Sequence, residues 1–136
     1  MIPYLLAVFA CCLAGGLGGF ALVRPHEALA LRGLSSLETQ PGGLAAARGF
    51  GGMMLMAHAG AAGLLGYYPS LGATMALALS LLWAGSAIGR VASSVLDGQV
   101  DPRGVQLMLL EVLMGLTLSL PFWASRQLTA GPVFNV

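Results

Sequence analysis

From Ile2 to Val23 the chain carries no charged side chain, and from Gly49 to Gly89 it again carries none. A helix crosses a hydrocarbon core about 30 Å thick with about 20 mostly apolar residues. The first run is therefore one span, and the second is too long for a single helix. It breaks at Tyr67-Tyr68-Pro69-Ser70, where a proline that cannot continue a helix follows two aromatics suited to the membrane interface. A fourth apolar run follows Gly104, carries one charge at Glu111 and ends near Pro121-Phe122-Trp123, with Arg126 as an interfacial anchor. Helices are predicted over about 2–23, 44–67, 70–94 and 104–125. Only 8% of the 136 residues are charged, against about a quarter in soluble domains. The expected fold is all-α and integral to the membrane: one four-helix antiparallel bundle over residues 1–136.

The chain has six arginines and no lysine. Arg24, Arg32 and Arg48 belong to the first connection, Arg90 and Arg103 flank the third, and Arg126 alone lies on the other side. Positive residues in short loops stay cytoplasmic. This predicts a multi-pass protein of the bacterial inner membrane with both termini and the Tyr67 turn on the periplasmic side. The first run lacks the positive n-region of a secretion signal and is longer than a typical h-region, so it reads as a retained helix. Phe9 before Ala10-Cys11 argues against a lipoprotein signal, which wants a small residue there. In the first connection Pro25 suits a helix start. Ala30, Leu31, Leu34 and Leu37 then share a face at helical spacing, the pattern of a short interfacial helix closed by Gln40-Pro41-Gly42-Gly43. The segment Leu96 to Gly104 reads as a turn.

Intramembrane charges are costly and usually paired. At about 1.5 Å per residue, Arg48, Arg90 and Glu111 fall at one depth, roughly one to two helical turns below the cytoplasmic surface. Glu111 is expected to meet both guanidinium forks. This is either an ion-pair clasp between helices or a polar site for an anionic or quinone-like ligand, because a buried ion pair alone supports neither. Two arginines against one glutamate leave an excess positive charge that calls for Asp97, a lipid phosphate or a ligand.

His58 lies in helix two among small residues that would let a macrocycle approach, making it a candidate ligand for a haem or chlorophyll-type pigment. The other histidine, His26, is in a loop, so the plainer expectation is a histidine hydrogen-bonded inside the bundle. Cys11 and Cys12 are adjacent and read as small apolar-embedded thiols, since adjacent cysteines form only a strained disulfide. No metal-binding spacing occurs. Gly16-Leu17-Gly18-Gly19-Phe20-Ala21 matches the dinucleotide fingerprint but lies in a span, without the strand and helix that give it meaning. Gly15 with Gly19, and Gly85 with Gly89, have the small-xxx-small spacing of close helix packing. Without lysine there is no P-loop and no Schiff-base cofactor. The serines lack triad partners, and a net charge of +1 gives no nucleic-acid footprint.

The order of Pro25, Arg48-Gly49 with Gly51-Gly52, Gly89-Arg90, Asp97-Gly98 and Glu111 resembles a bacterial family of small four-helix membrane proteins of unknown function, related to DoxX-like proteins. Phe50 departs from the tyrosine often found in its Arg-Gly-x-Tyr-Gly-Gly-like segment. The resemblance implies that Arg48, Arg90 and Glu111 form a shared polar centre, and that relatives are associated with quinone-linked redox complexes. With little extramembrane mass and glycine-rich faces, the chain is expected to be a non-catalytic accessory or assembly subunit packed against a larger respiratory or photosynthetic complex. The alternative is a quinone-, lipid- or anion-binding protein or minor transporter centred on Arg48, Arg90 and Glu111. The candidate bound groups are a quinone, a lipid and, at His58, a tetrapyrrole pigment. The bilayer and other membrane subunits are the expected partners, with no nucleotide or nucleic acid.

Overall fold

The computed structural model describes residues 1–98 and 101–129, all helical apart from the connections. The helices are α1 (Ile2–Val23), α2 (Pro25–Leu31), α3 (Gly43–Tyr67), α4 (Pro69–Leu96) and α5 (Pro102–Thr129), with a short 3-10 turn at Ser35–Thr39. Three of them, α1, α4 and α5, are long and apolar enough to cross a membrane. In α3 seven glycines, Arg48 and His58 dilute the apolar content.

The long helices form a ring in which α1 packs mainly on α3 and α4 on α5, while α3 meets α4 and α1 meets α5. Neighbours run antiparallel, because Gly18 lies on Gly51 while Gly15 lies on His58, and Arg90 reaches Glu111 while Gly115 sits against Ser80. Only Tyr68 separates α3 from α4. Pro69 opens α4, where its missing N–H costs nothing. Pro121, expected to close the last span, is instead fully buried within α5, which runs on to Thr129.

Small residues point inward and large ones outward. The core holds Ala7, Ala10, Ala14, Ala61 and Ala76 around Leu79, Trp83, Met114 and Leu118, whereas Leu5, Phe9, Leu81, Leu82, Ile88 and Leu116 are exposed. When the solvent is as apolar as the core, burying large side chains brings little, and close backbone approach decides packing.

The first connection departs from the single interfacial helix expected through Leu37. After Leu31 the chain takes Gly33 to φ +73. Gly33 N–H donates to the Ala30 carbonyl (3.1 Å) and Leu34 N–H to the Leu29 carbonyl (2.8 Å), the paired bonds of a Schellman stop. Glycine reaches this conformation without a Cβ penalty, so α2 stops after seven residues. Arg103 Nη1 donates to the Ala30 carbonyl (3.2 Å), tying the foot of α5 to the end of α2.

A close backbone contact holds α1 against α3. A Cβ at Gly51 would stand 2.6 Å from the Gly18 carbonyl oxygen and 2.7 Å from Leu22 N. Of the packing glycines read from spacing, Gly15 and Gly19 do border α3, with His58 Cβ at 3.6 Å and the Leu55 side chain at 3.9 Å. Gly85 and Gly89 have no neighbour within 4 Å among the described residues and pack no helix of this chain, because they turn to the outer side of α4. Gly51→Ala should therefore destabilise the detergent-solubilised protein by about 1–3 kcal/mol, as overpacking does. Gly85→Ala should be neutral or slightly stabilising through helix propensity. Thermal unfolding followed by circular dichroism separates them, and equal effects would refute the assigned contact.

Candidate functional site

The site is built where α4, α5 and the end of α2 converge. Ser86 and Arg90 are one turn apart on α4 and therefore share a face. Across from them Glu111 of α5 is buried, its side chain 6% exposed against 30% for Arg90. Glu111 Oε1 accepts from Ser86 Oγ at 2.8 Å and from Arg90 Nε at 2.9 Å, and Oε2 accepts from the same Nε at 3.0 Å. A single nitrogen straddles the carboxylate, so the fork-to-fork pairing expected from sequence is not the geometry adopted.

Arg48 does not join this pair. It shares a face of α3 with Gly51 and Leu55, which turns toward α1, whereas Ala57 and His58 line the cavity shared with α4. It is exposed and makes no hydrogen bond or ion pair among the described residues. The second arginine near Glu111 is Arg32 of the first connection, and not Arg48. The Schellman stop at Gly33 turns the chain back over the bundle and leaves Arg32 half-buried at its end. Its guanidinium carbon stands 4.9 Å from the centroid of the Phe50 ring, a cation–π contact. Burial pushes the Arg32 guanidinium below its ordinary pKa, the positive charge of Arg90 acts in the same direction, and Glu111 opposes both. The Arg32 guanidinium makes no hydrogen bond and no ion pair with another described residue.

Arg32, Phe50, Ser86 and Glu111 line a cavity of about 220 Å³ together with His58 and Trp83. His58 is 2% exposed. Trp83 Nε1–H donates to His58 Nε2 at 3.1 Å, and His58 Nδ1 lies 2.8 Å from the Met54 carbonyl. An indole only donates and a carbonyl only accepts. The hydrogen-bond network therefore assigns a neutral imidazole with its proton on Nδ1. Both ring nitrogens are engaged inside the bundle, and axial ligation of a pigment through Nε2 would break the Trp83 bond. His26 is exposed in the first connection, 3.3 Å from the Glu38 carboxylate. Cys11 is buried, Cys12 exposed, and both are free. No group of three His, Cys, Asp or Glu side chains is placed to hold a metal among the described residues.

The profile of the family described as Domain of unknown function (DUF4345) matches residues 3–121. The chain belongs to this family. The match takes in α1 to α4 and most of α5, and so all of Arg32, His58, Trp83, Ser86, Arg90 and Glu111. Neither curated proteins nor solved structures furnish a match to this DUF4345 chain.

Breaking a buried ion pair from one side costs about 3–5 kcal/mol because a charge is left uncompensated. The partial exposure of Arg90 puts Glu111→Gln at the lower end, about 3 kcal/mol. The double variant Glu111→Gln/Arg90→Gln should recover part of that loss, giving a non-additive double-mutant cycle in denaturant unfolding. Additive single effects would mean that the pair does not clasp α4 to α5.

Proposed function

We propose that this DUF4345 protein is a four-span bundle of the bacterial inner membrane that binds a small polar-headed molecule beside Arg32 and the Arg90–Glu111 pair. The observation that carries the reading is Arg32: a half-buried guanidinium without an acidic partner among the described residues, on the wall of a cavity. Glu111 already accepts from Arg90 and Ser86, so one positive charge remains uncompensated in a partly desolvated place. Such a charge calls for an anion or a strong hydrogen-bond acceptor, and a lipid or quinone head group supplies one. Kinship with DoxX-like proteins would favour the quinone. Counting α3 as the fourth span is supported by its place between α1 and α4 and by the exposure of Met53 and Met56. The concentration of arginines in the two connecting loops supports a cytoplasmic position for that end, with the termini and the Tyr67 turn periplasmic.

A second reading, an accessory subunit of a larger membrane complex, is favoured by Gly85 and Gly89, whose open surroundings leave a smooth strip on α4 beside exposed Ile88. Small residues of this spacing let another helix approach closely.

Native mass spectrometry of protein purified from its own membranes in mild detergent tests both. A small-molecule adduct on the wild-type chain, absent from an equally stable Arg32→Gln variant, is the expected result. Wild type and variant both flying as the bare chain would sink the binding reading. Retention within a large multi-subunit assembly would favour the second.

A further inference from the structure

The cavity beside Glu111 has a larger neighbour. Under α2 and the loop that follows it lies a space of about 540 Å³, walled by Leu17 and Phe20 of α1, Leu29 of α2, Leu34 and Leu37 of the loop, and Ala47 of α3. The two spaces share Arg32, Phe50 and Met54, so the cation–π pair of Arg32 on Phe50 is the partition between them. Together they fall in the size range of small-molecule pockets, about 300–1,000 Å³.

Charge and polarity then choose the ligand. The larger chamber offers a mostly apolar wall, broken by Gln40 and Arg32, which suits a hydrocarbon chain. Arg32, at its edge, is the one guanidinium on that wall. The smaller chamber carries the Glu111 carboxylate, which repels an anion, and Ser86 and Trp83 already donate to Glu111 and His58. An anionic head is therefore held at the partition, on Arg32, with its chain lying under α2. One uncompensated positive charge matches one negative charge, which fits a carboxylate better than a doubly charged phosphate monoester.

We infer that this protein binds a long-chain carboxylate, a single-chain fatty acid anion, with its head paired to Arg32 and its chain in the chamber beneath α2. The inference rests on the binding reading above and narrows it to one ligand class.

The test uses the full chain in nanodiscs of zwitterionic phosphatidylcholine, with tritiated palmitate as the probe. Hexadecanol, a short-chain ubiquinone analogue and phosphatidylglycerol serve as competitors. Palmitate should bind saturably, and hexadecanol should compete at least about 10-fold more weakly, since it lacks the charge-assisted pair. Arg32→Gln should weaken palmitate about 10- to 100-fold and abolish the preference over hexadecanol, while Arg32→Lys should restore part of it. Ala47→Phe should displace the chain and weaken palmitate and hexadecanol alike. Should that variant not fold, the wild-type ratio and the Arg32 pair still decide. Equal binding of palmitate and hexadecanol by the wild type would overturn the carboxylate assignment, and tighter binding of phosphatidylglycerol or the quinone would replace it with that ligand. A natural adduct in native mass spectrometry with no palmitate binding would end this inference and leave the broader reading standing. Absence of both would end both.

Discussion

A carboxylate inside an apolar bundle is tolerable only if its charge is met and its oxygens are satisfied. Glu111 meets this demand with two side chains from one face of α4, Ser86 and Arg90. That requirement fixes the rotation of α4 against α5, because a turn of either helix by one residue would move the donors about 100° away. With this rotation set, Trp83 faces inward and its indole reaches His58 on α3. The polar bonds thus link α3, α4 and α5 in sequence, while α1 is held by close packing instead.

The α1–α3 contact works without polar side chains. Gly18 and Gly51 bring two backbones close enough that neither position has room for a methyl group. The outward display of Leu5, Phe9, Leu82 and Leu116 follows the same logic, since lipid rewards a large apolar surface and the interior rewards small residues. The two devices divide the labour: packing brings α1 against α3 over much of its length, and hydrogen bonds and charge fix the register where the loops converge.

Helix positions were legible in the sequence because charges, prolines and the length of a span mark ends directly. The predicted 44–67 and 70–94 lie within a few residues of Gly43–Tyr67 and Pro69–Leu96. The pairing of Arg90 with Glu111 was legible from depth, since both fall at the same distance from the charged end. Depth says nothing of direction around a helix, and so Arg48, at the right depth on the wrong face, stood where Arg32 belongs. The sign of Arg32 was local: Gly33 follows it immediately and stops α2, but apolar spacing running on through Leu34 and Leu37 masked the stop. Spacing alone also could not tell that Gly85 and Gly89 face outward while Gly18 and Gly51 face each other. The Trp83 partner of His58 lies 25 residues away, beyond any local pattern.

Three of the arginines near this end do different work because their surroundings differ. Arg48 is exposed and its side chain pairs with no described residue. Arg90 is bound to Glu111 through Nε and cannot turn to another partner without leaving that carboxylate bare. Arg32 rests on an aromatic face, an attraction worth only about 0.5–2 kcal/mol, at the end of a short helix that Arg103 ties by a hydrogen bond to Ala30. Unlike Arg90, it can be recruited by an incoming anion without unmaking the clasp, and unlike Arg48 it lines the cavity. The domain's name carries no reaction, and fold alone does not confer one. On the proposed reading, binding rests on Arg32 trading its contact with Phe50 for a better partner, and the apolar space on one side of it decides what kind of partner fits.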